Sequence, residues 1–250
     1  MTIYHLIFIF VALFAVYVQT KSYALQEASQ ALKGTRLHIE VEYQRLRRVR
    51  RGLSPGIAAL TALIVAIGSF LYGGAPPFLG FLLTGVWVLA AVGDFFVESS
   101  YAATDPARKQ RDYILGMLIF ILFTLGLGIG LAVYILSAVG VGITPAVIAA
   151  AAAVLLGVLA YLTLNVTPDT RLIILLYTVS VSVLLWSGLL AALTDNWHLA
   201  YIGIAYFFSD WLVGLRDFGK NPPPGLKENA LILILMLYYT IMLVSIDFVF

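Results

Sequence analysis

The sequence predicts an all-α integral membrane protein that crosses the bilayer eight times. Three observations predict this fold class: the composition, the length of the apolar segments and the placement of the basic residues. Of the 250 residues, 62% are hydrophobic and 11% are charged, whereas a soluble domain carries about 25% charged residues. So few charges do not cover a globule with a polar surface, and lipid is therefore the expected solvent. We expect one polytopic membrane domain over residues 1–250.

Eight apolar segments follow one another along the chain. Each is long enough to cross a hydrocarbon core of about 30 Å as a helix. Short stretches rich in Gly and Pro separate them, such as residues 73–77 and 221–225, and these residues favour turns. The predicted segments comprise residues 2–18, 55–72, 78–98, 113–138, 143–163, 171–193, 198–215 and 228–248.

The basic residues support this number of segments. All 15 Lys and Arg residues fall in odd-numbered loops or at their edges, and the even-numbered loops contain none. A wrong number of spans would scatter these charges over both sides of the membrane. The loops contain, in order, Lys21, Lys33, Arg36, Arg45, Arg47, Arg48, Arg50 and Arg51; Arg108, Lys109 and Arg111; Arg171; and Arg216, Lys220 and Lys227.

The charge distribution also predicts the orientation of the protein. Loops rich in Lys and Arg stay in the cytoplasm, so both termini are expected outside. The first segment lacks the basic start and the cleavage site of a signal peptide, and we interpret it as an uncleaved anchor. The short loops and the absence of cysteine favour a prokaryotic cell membrane.

Residues 22–51 form the one long polar stretch between spans. Apolar residues recur among the charges at loosely helical spacing, as at Leu25, Leu32, Val41 and Val49. One interpretation is a basic segment of one or two helices at the cytoplasmic interface, against anionic headgroups. The other is a solvated connector that only orients the protein.

Three acidic residues of the predicted spans are candidates for a functional site. Asp94 and Glu98 are four residues apart on the third span and share a helical face, and Asp210 lies on the seventh. An ionisable side chain is costly in a membrane, so these residues are candidates for function. Asp94 and Asp210 are expected at similar depth near the cytoplasmic side. The alternative is that the acids pair with polar residues and only hold helices together.

The two aspartates also share a local pattern. Asp94 follows Gly93 on the third span of the first four, and Asp210 follows Ser209 on the third span of the last four. This match suggests a parallel repeat of four plus four helices, with the site between the halves.

Other polar residues indicate neither a metal site nor a cofactor. His5, His38 and His198 are too scattered along the chain to form a predicted metal site. No Lys lies in a span, which argues against a retinal Schiff base, and a net charge of +2 is too small to indicate nucleic acid. Several tyrosines are candidates for lining a cavity: Tyr177, Tyr206, Tyr238 and Tyr239.

Five short motifs, in this order and spacing, resemble the YhhN-like lysoplasmalogenase family over residues 78–248. They are Gly93-Asp94 in the third span, Gly116 to Phe120 in the fourth, Arg171 to Tyr177 opening the sixth, Tyr206 to Asp210 in the seventh, and Leu237-Tyr238-Tyr239 in the last. The family's eight spans agree with the number predicted here. Three positions depart from the family pattern: Ser54 stands at a usual Lys, Thr124 at a usual His, and Met242 near a usual Gln or His.

The resemblance implies an enzyme that hydrolyses the vinyl ether bond of a lysoplasmalogen, without a cofactor. Such chemistry requires one protonated carboxyl and one carboxylate, as in two-carboxylate glycosidases. Asp94 and Asp210 are the expected acid–base pair, and either is a candidate for the acid. Glu98, Ser209, Tyr177 and Tyr239 are the expected contacts to substrate or water, and nearby Arg and Lys residues would bind the headgroup phosphate.

Two other classes of protein remain open at this stage. A lipid-binding or transport protein would use the paired acids to bind a cation or carry protons, and the missing His and Gln favour it. Such a transporter needs openings on both sides, whereas the acids here cluster near one face. A purely structural membrane protein would pack tightly around the aspartates and have no cavity there.

Overall fold

The computed structural model describes residues 3–31, 37–73, 75–103, 105–220 and 226–250. Residues 32–36 of the predicted basic segment and 221–225 of the predicted seventh loop lie outside the described residues. The described part forms eight α-helices, all long and apolar enough to cross a membrane, which confirms the predicted fold class. They are α1 (Ile3–Ala31), α2 (Leu37–Leu71), α3 (Pro77–Ala102), α4 (Pro106–Tyr134), α5 (Ile143–Leu162), α6 (Arg171–Ala192), α7 (Trp197–Phe218) and α8 (Leu226–Asp247).

Several helices extend beyond the predicted apolar segments. Helix α1 continues to Ala31 and α2 begins at Leu37, so the described residues of the 22–51 stretch continue the first two spans. They do not form separate helices, and their placement at a membrane interface stays a prediction. Helix α4 begins seven residues before its predicted start, because Asp105 caps it and Pro106 suits the first helical position.

Seven of the eight helices form a ring, and α5 lies outside it. The order around the ring is α1, α2, α3, α4, α6, α7 and α8, and α8 closes it by contacting both α1 and α2. Helix α5 packs on the outside of α6. Glycines permit the closest approaches: Gly188 of α6 meets Gly203 of α7, and Gly128 of α4 lies against the backbone of Leu184 on α6. Small residues at such crossings let helix backbones approach in membranes.

The neighbours of each helix follow the order that a parallel repeat would produce. Helices α1 to α4 pack consecutively, and so do α5 to α8. Between the halves, the contact of α4 with α6 corresponds to the contact of α8 with α2. Helix α8 also contacts α1, whereas α4 and α5 make no comparable contact among the described residues, so the four-plus-four repeat stays a prediction; its two aspartates lie on α3 and α7.

The two ends of the bundle differ in chemistry. We call the end at which α1 stops and α2 starts the basic end, because the described Lys and Arg residues of the odd-numbered loops lie there. At this end the loop after α5 is tied to the end of α7, since the Asn165 amide donates to the Phe218 carbonyl at 2.6 Å. At the opposite end, one Asp247 carboxylate oxygen lies 3.1 Å from His5 and the other 3.1 Å from His198.

Candidate functional site

Residues from all eight helices line one cavity of about 330 Å³, which we call the main cavity. It extends from charged side chains at the basic end, such as Arg50 and Arg216, inward to Tyr206 and Tyr238. Both Asp94 and Asp210 line it. The packing therefore gives these two acids access to one shared space, which a tightly packed structural protein would lack.

Asp94 lies on α3 and is held by side chains of two neighbouring helices. The Ser54 hydroxyl of α2 donates a hydrogen bond of 2.8 Å to its Oδ2 atom. The Tyr238 hydroxyl of α8 donates to the same oxygen at 3.0 Å. Two hydroxyl donors compensate a carboxylate in a site shielded from water. Asp94 is thus built into the wall of the main cavity with a fixed orientation.

Asp210 has a simpler environment on α7. The Tyr177 hydroxyl of α6 donates a hydrogen bond of 2.7 Å to its Oδ2 atom. In the described part of the chain, Tyr177 is its one hydrogen-bond donor. Each aspartate therefore accepts a hydroxyl from the helix that precedes it in the chain, α2 for Asp94 and α6 for Asp210.

Charged groups surround the mouth of the main cavity. Arg50 of α2 donates through Nε to Oε2 of Glu98 on α3 at 3.0 Å, and both side chains are only 12% exposed. Arg216 pairs with the adjacent Asp217 at 2.8 Å. A second cavity of about 560 Å³, the vestibule, adjoins this mouth and includes Lys109. The vestibule and the main cavity share the lining residues Tyr23, Tyr101, Tyr113, Arg216, Asp217 and Phe218.

Four aromatic side chains close the inner end of the main cavity. Trp87 of α3, Phe123 of α4, Tyr206 of α7 and Tyr238 of α8 form a closed ring of contacts, which we call the aromatic floor. Neighbouring ring centroids lie 5.1 to 6.4 Å apart, the range of favourable aromatic pairs. Trp87 and Phe123 are fully buried. Among the described residues, the floor separates the acids from the opposite end.

The other predicted site residues divide between the cavity wall and the layer behind it. Glu98, Ser209 and Tyr177 line the main cavity. Ser209 also contacts α8, where its hydroxyl lies 3.5 Å from the Ile234 carbonyl. Tyr239 is not part of the lining; it lies behind the wall and accepts a hydrogen bond of 3.1 Å from Gln19.

Sequence reasoning missed Arg50 and Ser54 as site residues, although their spacing contains a signal. They are four residues apart on α2, as Asp94 and Glu98 are on α3, and each pair lies on one helical face. Because α2 and α3 are antiparallel neighbours, Arg50 meets Glu98 and Ser54 meets Asp94. A matched i, i+4 polar pair on consecutive spans was the sign of this contact.

The three positions that depart from the family pattern are all buried. Ser54 holds Asp94, as described above. Thr124 donates to the Ser180 hydroxyl at 2.7 Å and joins α4 to α6. Met242 is fully buried in the hydrophobic core. Two of these three side chains, Ser54 and Thr124, thus carry a hydroxyl with a partner of its own.

Comparison of the chain with protein-family models, with curated proteins and with solved structures finds no match in any of the three. The resemblance to the lysoplasmalogenase family therefore rests on the short motifs alone. No group of three or more His, Asp or Glu side chains among the described residues is placed to hold a metal ion. What the site offers chemically is two carboxyls with hydroxyl partners, in a cavity with a charged mouth.

Proposed function

We propose that this protein is a membrane-embedded hydrolase that cleaves the vinyl ether bond of a lysoplasmalogen-type lysophospholipid. The observation that carries the proposal is that Asp94 and Asp210 line one cavity, which is charged at its mouth and aromatic at its inner end. A lysophospholipid has a charged headgroup at one end and a single apolar chain at the other, so its polarity changes in the same direction as that of the cavity. Two carboxyls are the catalytic groups that this hydrolysis needs.

The reaction proceeds by protonation of carbon. One aspartic acid donates a proton to the β-carbon of the enol ether, which leaves an oxocarbenium ion. Water adds to that ion as the other aspartate accepts a proton from it, and a hemiacetal forms. The hemiacetal then collapses to a fatty aldehyde and a glycerophospho-alcohol. In the collapse the second acid protonates the leaving oxygen and the first carboxylate takes the hydroxyl proton, so both groups return to their starting states.

The lining supports a defined orientation of the lipid. Arg216 and Lys109 at the mouth and vestibule would bind the phosphate of the headgroup. Apolar residues farther in, such as Met117, Ile234 and Leu235, would contact the chain. We propose that the basic end faces the cytoplasm, as the positive-inside rule predicts, and that substrate comes from that leaflet.

The aromatic floor favours an enzyme over a transporter. A transport protein would carry its ligand past the acids to the opposite end. Trp87 and Phe123 are fully buried at that level, and leucines of α3 and α4 pack beyond them, including Leu83 and Leu127. A blind cavity needs no second opening for hydrolysis, because both products leave through the mouth.

The proposal is tested by incubating the purified protein in detergent with a lysoplasmalogen and measuring the release of fatty aldehyde. Asp94→Asn and Asp210→Asn keep the shape of each side chain and remove its acid chemistry. We expect both variants to lose activity by at least about 100-fold, the usual scale for a general acid or base. Asp169→Asn, in the exposed loop after α5, is the matched control and should be as active as the parent.

Two outcomes would contradict the proposal. Full activity in either cavity variant would remove that aspartate from the chemistry. If the parent is well folded by circular dichroism and releases no aldehyde, lysoplasmalogen is not its substrate. A saturated 1-alkyl analogue should bind without turnover, since it has no double bond to protonate.

A further inference from the structure

The space between the two acids and the aromatic floor is short compared with a lipid chain. Tyr206 of the floor lies four residues from Asp210, roughly 6 Å along α7. Trp87 lies seven residues from Asp94, roughly 10 Å along α3. A chain that fills one leaflet extends about 15 Å, half of a hydrocarbon core of about 30 Å. The chain of a lipid whose vinyl ether lies at the acids therefore has to turn before it reaches the floor.

Part of the main cavity leaves the ring of seven helices sideways. Ala160 and Leu164 line the cavity, although α5 lies outside the ring and Leu164 follows α5. All other lining residues belong to helices of the ring. Ala160 shares a buried cluster with residues of α6 and α7, so the cavity reaches α5 between these two helices. We call this part the side branch, and its lining residues are Ala160, Leu164, Val181, Phe207, Trp211 and Gly214.

Helices α6 and α7 diverge toward the basic end, which makes room for the side branch. Their backbones are closest far from that end, where a Cβ atom on Gly203 would lie 2.6 Å from the Gly188 Cα atom. Nearer the basic end the two helices are joined through the full length of a tyrosine side chain, by the 2.7 Å hydrogen bond from Tyr177 to Asp210. Asp210 thus stands beside the entrance to the side branch.

The walls of the side branch are apolar and enclosed. Ala160, Val181 and Phe207 are buried and belong to a hydrophobic cluster separate from the main core. Trp211 packs against this cluster, and its indole Nε1 donates to the Thr163 hydroxyl at 3.1 Å. The loop after α5, which is bonded to the end of α7, covers the branch at the basic end. Such walls suit an aliphatic chain and not a charged headgroup.

We propose that the side branch is the subsite for the alkenyl chain of the substrate, which turns between α6 and α7 after it passes the acids. The identity of the lipid rests on the proposed function. The headgroup lies at the charged mouth, the vinyl ether between Asp94 and Asp210, and the chain beyond it beside Tyr177 and Trp211. Apolar walls bind such a chain in proportion to the length they bury, about fourfold in affinity for each methylene group.

A brominated lipid locates the chain without any turnover, because bromine quenches the fluorescence of a tryptophan that it contacts. The probe is a saturated 1-alkyl lysophospholipid with bromine near the middle of its chain, titrated into the protein in nanodiscs of unbrominated lipid. We expect saturable quenching that the unbrominated analogue reverses, and Trp211→Phe should remove most of it. Trp87→Phe, at the aromatic floor, and Trp197→Phe, at the exposed start of α7, should keep it.

Two results of this titration would overturn the proposal. Quenching that is lost in Trp87→Phe and kept in Trp211→Phe would place the chain at the aromatic floor. A parent without saturable quenching would show that the chain does not enter the side branch.

Filling the side branch tests the same subsite by affinity. Ala160→Phe adds a ring inside the branch, whereas Leu159→Phe, the matched control, adds it at a neighbouring position that is 49% exposed. We expect Ala160→Phe to bind the saturated 1-alkyl probe at least about tenfold more weakly, the loss of roughly two buried methylene groups. Leu159→Phe should bind it as the parent does. Parental affinity in an Ala160→Phe variant that is folded by circular dichroism would overturn the proposal.

The side branch and the hydrolase proposal fail separately. The probe has no vinyl ether, so both binding measurements are independent of aldehyde release. Aldehyde release without quenching of Trp211 would retain the hydrolase and remove the side branch as the chain subsite. Quenching of Trp211 in a protein that releases no aldehyde would retain the side branch as a site for a single-chain lipid and refute the proposed reaction.

Discussion

The crossing of α6 and α7 makes Gly203→Ala the most sharply defined perturbation of this fold. A Cβ atom at Gly203 would lie 2.6 Å from the Gly188 Cα atom and 2.7 Å from the Leu184 carbonyl oxygen. Both contacts are with backbone, so no side-chain rotation relieves them. Restoring a normal contact of 3.4 Å requires the helices to separate by roughly 0.8 Å. Overpacking of this kind costs about 1–3 kcal/mol.

Gly85→Ala is the matched control for this substitution. Gly85 also lies within a transmembrane helix, but a Cβ atom there meets nothing within 4 Å. Alanine has a higher helix propensity than glycine by up to about 1 kcal/mol, so this variant should be as stable as the parent or slightly more stable. The difference between the two variants therefore isolates the close packing at Gly203.

The assay is the apparent melting temperature in detergent, followed by circular dichroism at one heating rate. A loss of 1 kcal/mol corresponds to about 2–4 °C for a chain of this size. We expect Gly203→Ala to melt several degrees below the parent and Gly85→Ala not to. Equal melting temperatures for the two variants would refute the close helix crossing. Gly203 lies two turns from Asp210, roughly 10 Å along the helix. Because the substitution is this far from the acid, we expect it to lower aldehyde release only through the loss of folded protein.

Three further predictions concern the orientation, the mouth and the aromatic floor. Asp169→Cys and Gly142→Cys each place one cysteine at an end of α5. In intact cells a membrane-impermeant maleimide should label Gly142→Cys and leave Asp169→Cys unlabelled, because the positive-inside rule places the loop after α5 in the cytoplasm. Replacing Glu98 by Gln should destabilise the protein by about 3–5 kcal/mol, because it leaves the Arg50 charge buried and unpaired. Trp87→Phe should change the free energy of unfolding by less than about 1 kcal/mol, since it removes a buried indole N–H that has no partner among the described residues.

Each of these predictions has its own check. The parent contains no cysteine, so labelling has no background, and detergent should make both sites reactive. Replacing Arg50 and Glu98 together by apolar residues should recover much of the stability lost in Glu98→Gln. If it does not, the two residues stabilise the protein independently of each other. Trp87→Ala should cost about 3–5 kcal/mol by leaving a void, and a cost near zero would contradict the tight aromatic floor.

The sequence predicted which acids are candidates for function but not how they are held. Asp94 and Asp210 stand out as charges inside apolar segments, because lipid makes an isolated charge costly. Their partners are ordinary hydroxyls, Ser54, Tyr238 and Tyr177, which membrane helices contain in many places. The spacing of Arg50 and Ser54 on α2 matches that of Asp94 and Glu98, but no such pattern marks Tyr238 or Tyr177, since which side chain faces an acid depends on the rotation of each helix about its own axis.

Tyr239 shows the same limit in the opposite direction. From its position beside Tyr238 it is an equal candidate for the cavity wall, yet only Tyr238 lines the cavity. Neighbouring residues on a helix point about 100° apart, so one faces the cavity while the other faces α1 and accepts from Gln19. A step of one residue along the helix therefore separates a side chain that lines the cavity from one that lies behind its wall.

The sequence by itself determined the class of fold and the end of the bundle at which the basic residues lie. Both follow from one-dimensional properties, the length of apolar segments and the alternation of charge between loops, which the bilayer makes decisive. Only the tertiary structure decided the ring order, with α5 outside and α8 closing on α1 and α2. That order depends on close contacts between small residues far apart in the chain, such as Gly188 with Gly203. The same contacts place Asp94 and Asp210 on one cavity, because helix packing, and not helix composition, sets which faces meet.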